Sequence, residues 1–161
     1  MTPTILAEEP LKAFSDAWHD ASSERKPPTL QALTARGAPL DHPGFGMLGR
    51  SEKQHRGKSA ATFQVLAAGS DHFELGGKIK AGQWLDEIVH PAHLASLVEL
   101  YETIYRERSL HQWRCMNMVR NAEPFSYTRV LGAIDDDTGD GRCLAGIWVW
   151  HDVHAATTFA S

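Results

Sequence analysis

Cysteine is scarce in this chain: two in 161 residues, Cys115 and Cys143, both inside apolar, strand-like stretches. That excludes a secreted disulfide framework and favours a reducing compartment. A basic excess is also missing. Sixteen Lys and Arg against twenty Asp and Glu give a net charge of -4 with the signs interspersed, so the electrostatic footprint of a nucleic-acid binder is absent. No apolar run approaches the roughly 20 residues needed to cross a bilayer, and the opening MTPTILAEEP has acids where a signal peptide carries bases. There is no internal repeat and no low-complexity segment. The expectation is a soluble, cytoplasmic, one-domain protein with enough chain to bury a core.

What the chain does have is a long amphipathic stretch at 82–108. Leu94, Leu97, Val98, Tyr101, Ile104 and Tyr105 recur at three- and four-residue steps, while Ser96, Glu99, Glu102 and Arg106 fall on the opposite side. Pro91 suits a first helical turn, with His90 at the cap position. Trp84, Leu85, Ile88 and Val89 have the spacing of a separate short helix that ends before the proline.

Upstream, residues 10–22 read as a helix, with Leu11, Phe14, Trp18 and Ala21 along one side. Lys26-Pro27-Pro28 ends it, and Thr29 caps a second short helix that stops at Gly37. A turn-rich stretch at 38–46 separates this helical arm (1–38) from the main domain (39–154), which a short tail (155–161) follows. Residues 47–56 read as an exposed strand, 57–60 as a turn and 61–68 as a more buried strand. The DHFEL segment after Gly69-Ser70 reads as a short helix. Beyond Arg108 the period changes to two: 110–120, 125–134 and 142–153 form an antiparallel meander, the last two joined by the turn DDDTGDG. Along the last strand Cys143, Ala145, Ile147, Val149 and His151 face one way, and Leu144, Trp148 and Trp150 the other. Apolar residues on both sides require cover on both, the long helix on one and the arm or a second copy on the tryptophans.

Two strands, small helices, a long helix and three antiparallel strands follow the order of a PAS domain, and the residues resemble that family. WLDEIVHPAHLASLVELYETIYRERS is similar to the PAS step in which a short helix runs through His-Pro into the long helix beside the ligand pocket. FQVLAAGSDHFELGGKIKAGQWLDEIV resembles a bacterial PAS subfamily that also begins with a tryptophan-bearing helix and a following proline, here Trp18 and Pro27-Pro28. GIWVWHDV is similar to the closing PAS strand, with His154 where that family's junction threonine stands. The resemblance covers about residues 10–154. It implies an α+β fold, a PAS-like antiparallel sheet of about five strands with helices on one face and an N-terminal helical arm. It also implies a sensory or signalling module of a bacterial cytoplasm. The chain ends soon after His154, so its signal is expected to leave through a separate partner, such as a histidine kinase or another signalling protein.

The candidate ligand pocket lies between the sheet and the long helix, lined by Trp84, Leu97, Tyr101, Ile104, Trp113, Cys115, Ile147 and Val149, with Asn117 or His151 as polar contacts. Core packing alone also accounts for each of them. Arg114 and Arg129, on neighbouring strands, suit a carboxylate, though strand alternation turns Arg114 to solvent. Haem-binding PAS domains take a histidine from the long helix, which makes His93, or His90 at its mouth, the haem candidates beside the reading as capping residues. The flavin-binding cysteine motif of some relatives is missing from the central helices. His151-x-x-His154 belongs to no complete metal set, there is no HExxH or CxxC, and 135–141 fails the EF-hand spacing, so no metal is expected. A homodimer through Trp18, Trp148 and Trp150 is expected, with Trp148→Glu or Trp150→Glu breaking it and sparing the fold. The competing class is a small cone-shaped, ketosteroid-isomerase-like enzyme or ligand carrier. Asp71-His72 lacks a third group to orient it, and no G-x-S-x-G is present, so no catalytic residue is assigned.

Overall fold

The computed structural model describes residues 9–23, 26–55, 57–69, 73–74, 77–89, 91–120, 123–135 and 142–151. The long helix, α4 (Pro91–Glu107), begins at its proline, where the missing N–H has no intrahelical acceptor to lose. Leu97, Tyr101 and Ile104 form its buried stripe, and Leu94, Val98 and Tyr105 flank that stripe half-buried. Ahead of it, α3 (Leu85–Ile88) is a single turn whose Glu87 carboxylate accepts from the Trp84 N–H at 2.6 Å, anchoring an otherwise exposed helix start.

Five strands make one antiparallel sheet: β1 (Phe45–His55), β2 (Lys58–Ala68), β5 (Leu110–Arg120), β6 (Glu123–Asp135) and β7 (Arg142–His151). Their order is β2-β1-β7-β6-β5. Hairpins join β1 to β2 and β5 to β6 to β7, and the closing pair β1–β7 sets Phe45 opposite Ile147 and Leu48 opposite Leu144. This open sheet with helices is α+β and consistent with a PAS-like fold. No helix among the described residues is long and apolar enough to cross a membrane.

Residues 58–60, expected within a turn, belong to β2, and a further segment also departs from its expected structure. DHFEL was expected to be helical, yet Phe73–Glu74 form strand β3, paired antiparallel with β4 (Gly77–Lys78). The Gly76-Gly77 pair next to them disfavours continuing a helix and favours a reversal.

The sheet is covered on both faces. On one, α4 and α3 close a core of Leu48, Phe63, Val65, Tyr101, Tyr127, Leu131, Leu144 and Trp148. On the other, α1 (Glu9–Ala21) and α2 (Leu30–Ala35) bury Leu11, Phe14, Trp18 and Leu33 against Val130, Ile134, Cys143, Ala145 and Ile147. Thr29 caps α2, its hydroxyl accepting from the Ala32 N–H at 3.1 Å, and the Pro28 carbonyl accepts from the Asp135 N–H at 3.0 Å, tying the arm to the end of β6. The arm is thus a core layer. The Trp18 indole N–H donates to the Ala133 carbonyl at 2.9 Å, and its ring lies on Gly132, where a Cβ would come within 2.7 Å of Nε1.

These contacts reverse the expected assignment of faces on β7. Alternation holds, but Leu144 and Trp148 point toward α4 while Ile147 and Val149 point toward α1. Trp148 is 4% exposed and Trp18 7%, so neither stands on an outer face available to a second copy. Ile147 and Val149 likewise leave the pocket proposed for them, because they pack beneath the arm.

Candidate functional site

Two features meet along α4: an apolar cavity beneath it and an open groove beside it. The cavity is small, about 30 Å³, and is walled by Met47, Leu48, Val65, Ile79, Leu85, Ile88, Val89, Tyr101 and Trp148 with small residues of β1 and β2. Phe63 meets the Tyr101 ring edge-on at 5.7 Å, and the Trp148 indole fills the space that β7 offers. No carboxylate or imidazole lines this cavity among the described residues.

Just beyond Tyr101 lies a buried cation. Arg129 is fully buried on β6, flanked in the ladder by Trp148 on one side and Trp113 on the other. Its Nη1 donates to the Tyr101 hydroxyl at 3.2 Å, and its Cζ sits 5.3 Å from the centre of the same ring. A guanidinium tolerates burial better than an ammonium, because it is more weakly hydrated and stacks on aromatic faces. His111, two residues before Trp113, stacks on that indole at 5.1 Å.

Burial first, then the Arg129 charge, hold the His111 imidazole below its usual range. The folded protein therefore takes up this proton less readily than the unfolded chain does. The stability carried by neutral His111 is complete above the unfolded value, about 6.5, and is lost as pH falls below it. His111→Gln is expected to remove that part. The stability difference between wild type and variant, read from urea midpoints, should shrink in disfavour of wild type as pH drops from neutral into the mildly acidic range; a difference constant across that range contradicts the placement.

The groove lies between α4 and the edge strand β2. It encloses about 710 Å³ and is lined by Ala61, Thr62, Asp86, Pro91, Leu94, Ala95, Val98, Glu99, Glu102 and Arg106. The Arg50 Nε donates to both Glu102 carboxylate oxygens at 2.8 and 2.9 Å, and the guanidinium carbons of Arg50 and Arg142 lie 5.5 and 5.4 Å from the centre of the Tyr105 ring.

Of the expected pocket residues whose side chains are described, only Tyr101 reaches the cavity wall. Leu97 and Ile104 are buried beside it in the same core. Trp84 is half-buried at the sheet edge, bridged to Gln64 of β2. Trp113 is 41% exposed on the edge strand β5. Cys115 pairs with Tyr127, Asn117 falls in the register irregularity of β5, and Trp150 and His151 pair with Tyr127 and Ser126; the side chains of these four lie outside the described part of the structure. Arg114 is exposed, as strand alternation predicts.

His90, Asp71-His72, the turn at 136–141 and the tail at 155–161 lie outside the described residues. His93 sits half-buried in the first turn of α4 and is not part of the cavity wall. A cavity of about 30 Å³ does not fit a porphyrin. No group of three or more metal-ligating side chains comes together among the described residues. No protein-family model, no curated protein and no solved structure matches the chain.

Sequence reasoning missed the groove and His111. The groove needs β2 and α4 to be neighbours, which no local pattern encodes. Arg129 carried a readable signal, a lone charge inside the apolar run YTRVLGAI, where a solvent-facing partner pattern is missing.

Proposed function

We propose that this protein is a PAS-type signalling module that works by contact with a partner protein rather than by enclosing a metabolite. The observation that carries this reading is the filled space beneath α4. An engineered cavity of roughly 150 Å³ takes up benzene, whereas about 30 Å³ holds little more than ordered water. The open groove along the same helix offers far more surface to a second molecule than the cavity offers to a ligand.

Signalling by contact requires the partner to bind two arrangements of the module with different affinity. On this reading the element that shifts is the packing of α4 on the sheet, pinned by Arg50–Glu102 at one point and Tyr101–Arg129 at another. Native mass spectrometry of the freshly purified full chain is the deciding experiment. The mass of the chain or a whole multiple of it is expected. A stoichiometric added mass, of a metabolite, a flavin or a porphyrin, would sink the contact reading in favour of a ligand sensor.

A further inference from the structure

Strand pairing puts an imidazole, an indole and a guanidinium on one face of the sheet. His111 pairs with Leu131 and Trp113 with Arg129, so His111 is the diagonal neighbour of Arg129 on the face that α4 covers. These two β5 residues stand at the edge of the sheet. Their rings stack at 5.1 Å with 29° between the planes. Trp113 is largely in solvent, whereas Arg129 is fully buried, with Trp113 and Trp148 on either side in the ladder and the Tyr101 ring of α4 over it.

The His111 site suits only the neutral ring. Its Nδ1 is buried and bonded to no protein group. From β6 the charged group that acts on it is Arg129; its companion on β5, Trp113, is uncharged; and α4 contributes the Tyr101 phenol on Arg129, while the charges at its end, Arg106, Glu107 and Arg108, are exposed. In the charged form both ring nitrogens are donors, so Nδ1 becomes a buried N–H without a protein acceptor beside an existing cation.

We infer that the His111–Trp113 stack is an acid-operated cover over Arg129: on taking up a proton the two rings swing off the sheet as a unit, and the Arg129–Tyr101 contact between β6 and α4 loosens. Moving outward gives the charged ring the water that its buried site withholds. The two rings stay together because a cation is attracted to an indole face, and Trp113 already stands partly in solvent. Proton uptake and opening are linked, so the proton favours the open form by as much as the closed form resists it. For its consequence at α4 this device rests on the contact reading above, to which it adds acidification as an input.

Hydrogen exchange of the full chain, read by mass spectrometry at neutral pH and at about pH 5 and corrected for the intrinsic rate at each, tests the cover. In wild type, segments 97–105 and 110–114 are expected to lose protection at least about threefold in acid while the β1–β2 hairpin keeps its own. His111→Gln, uncharged at both pH values, is expected to abolish that loss. An equal loss in His111→Gln would overturn the proposal, as would unchanged protection in wild type. A loss shared equally by the β1–β2 hairpin would overturn it too, since His111 would then act on global stability alone. A second measurement needs no variant: the His111 ring resonances of wild type are expected to titrate below 6.5, the ordinary histidine value, together with the loss of protection, and a midpoint at or above that value overturns the cover. The contact reading stands or falls separately, on the mass measurement.

Discussion

Replacing Trp148 with glutamate is expected to leave no folded baseline in a urea titration at neutral pH. The indole is buried between α4 and the sheet and walls the cavity beside Tyr101. Losing a buried aromatic of this size costs about 3–5 kcal/mol, and a carboxylate placed in that apolar core adds several more unless it protonates. Total stabilities of about 5–15 kcal/mol leave little margin for such a loss. Circular dichroism and the urea midpoint check the outcome. A cooperative transition within about 1 kcal/mol of wild type would contradict the burial of Trp148. This replaces the expectation drawn from alternation alone, in which the same change breaks a dimer and spares the fold.

Trp18→Ala should be the second most damaging change, at about 3–5 kcal/mol. The ring lies between α1 and the sheet, stacked over Gly132, and the lost indole N–H strands the Ala133 carbonyl. If the arm were a peripheral appendage, the loss would be confined to local fraying of α1, and the main transition would keep its midpoint. A downward shift of the whole cooperative transition, seen together by near-ultraviolet and far-ultraviolet dichroism, is the expected result, because α1 supplies one of the two cores.

Periodicity made much of this architecture legible. The Leu97, Tyr101, Ile104 stripe and the proline start of α4 follow from three- and four-residue spacing, and all three strands of the meander follow from alternation and turn chemistry. Alternation, however, assigns parity without sign. On β7 both faces are apolar, so the pattern separates Trp148 from Ile147 but does not say which of them meets α4. That sign depends on which side of the sheet the β4-to-β5 crossover takes, a global property of the chain. The DHFEL segment failed for the opposite reason, since five residues are too short for either period to declare itself. The candidate pocket was drawn between the sheet and the long helix, and the size of any space there depends on how far Trp148 and Tyr101 fill it, which composition does not reveal.

The pairing of β1 with β7 bears on how the chain acquires its structure in time. Phe45 and Ile147 face each other across roughly a hundred intervening residues, a loop whose closure is entropically costly before any contact rewards it. The hairpin β1–β2 and the meander β5–β6–β7 are local and can each form early, but they join only through this last strand. During synthesis the emerging chain therefore carries the inner edge of β1 at Phe45–Gly49 without its native partner until β7 has been made.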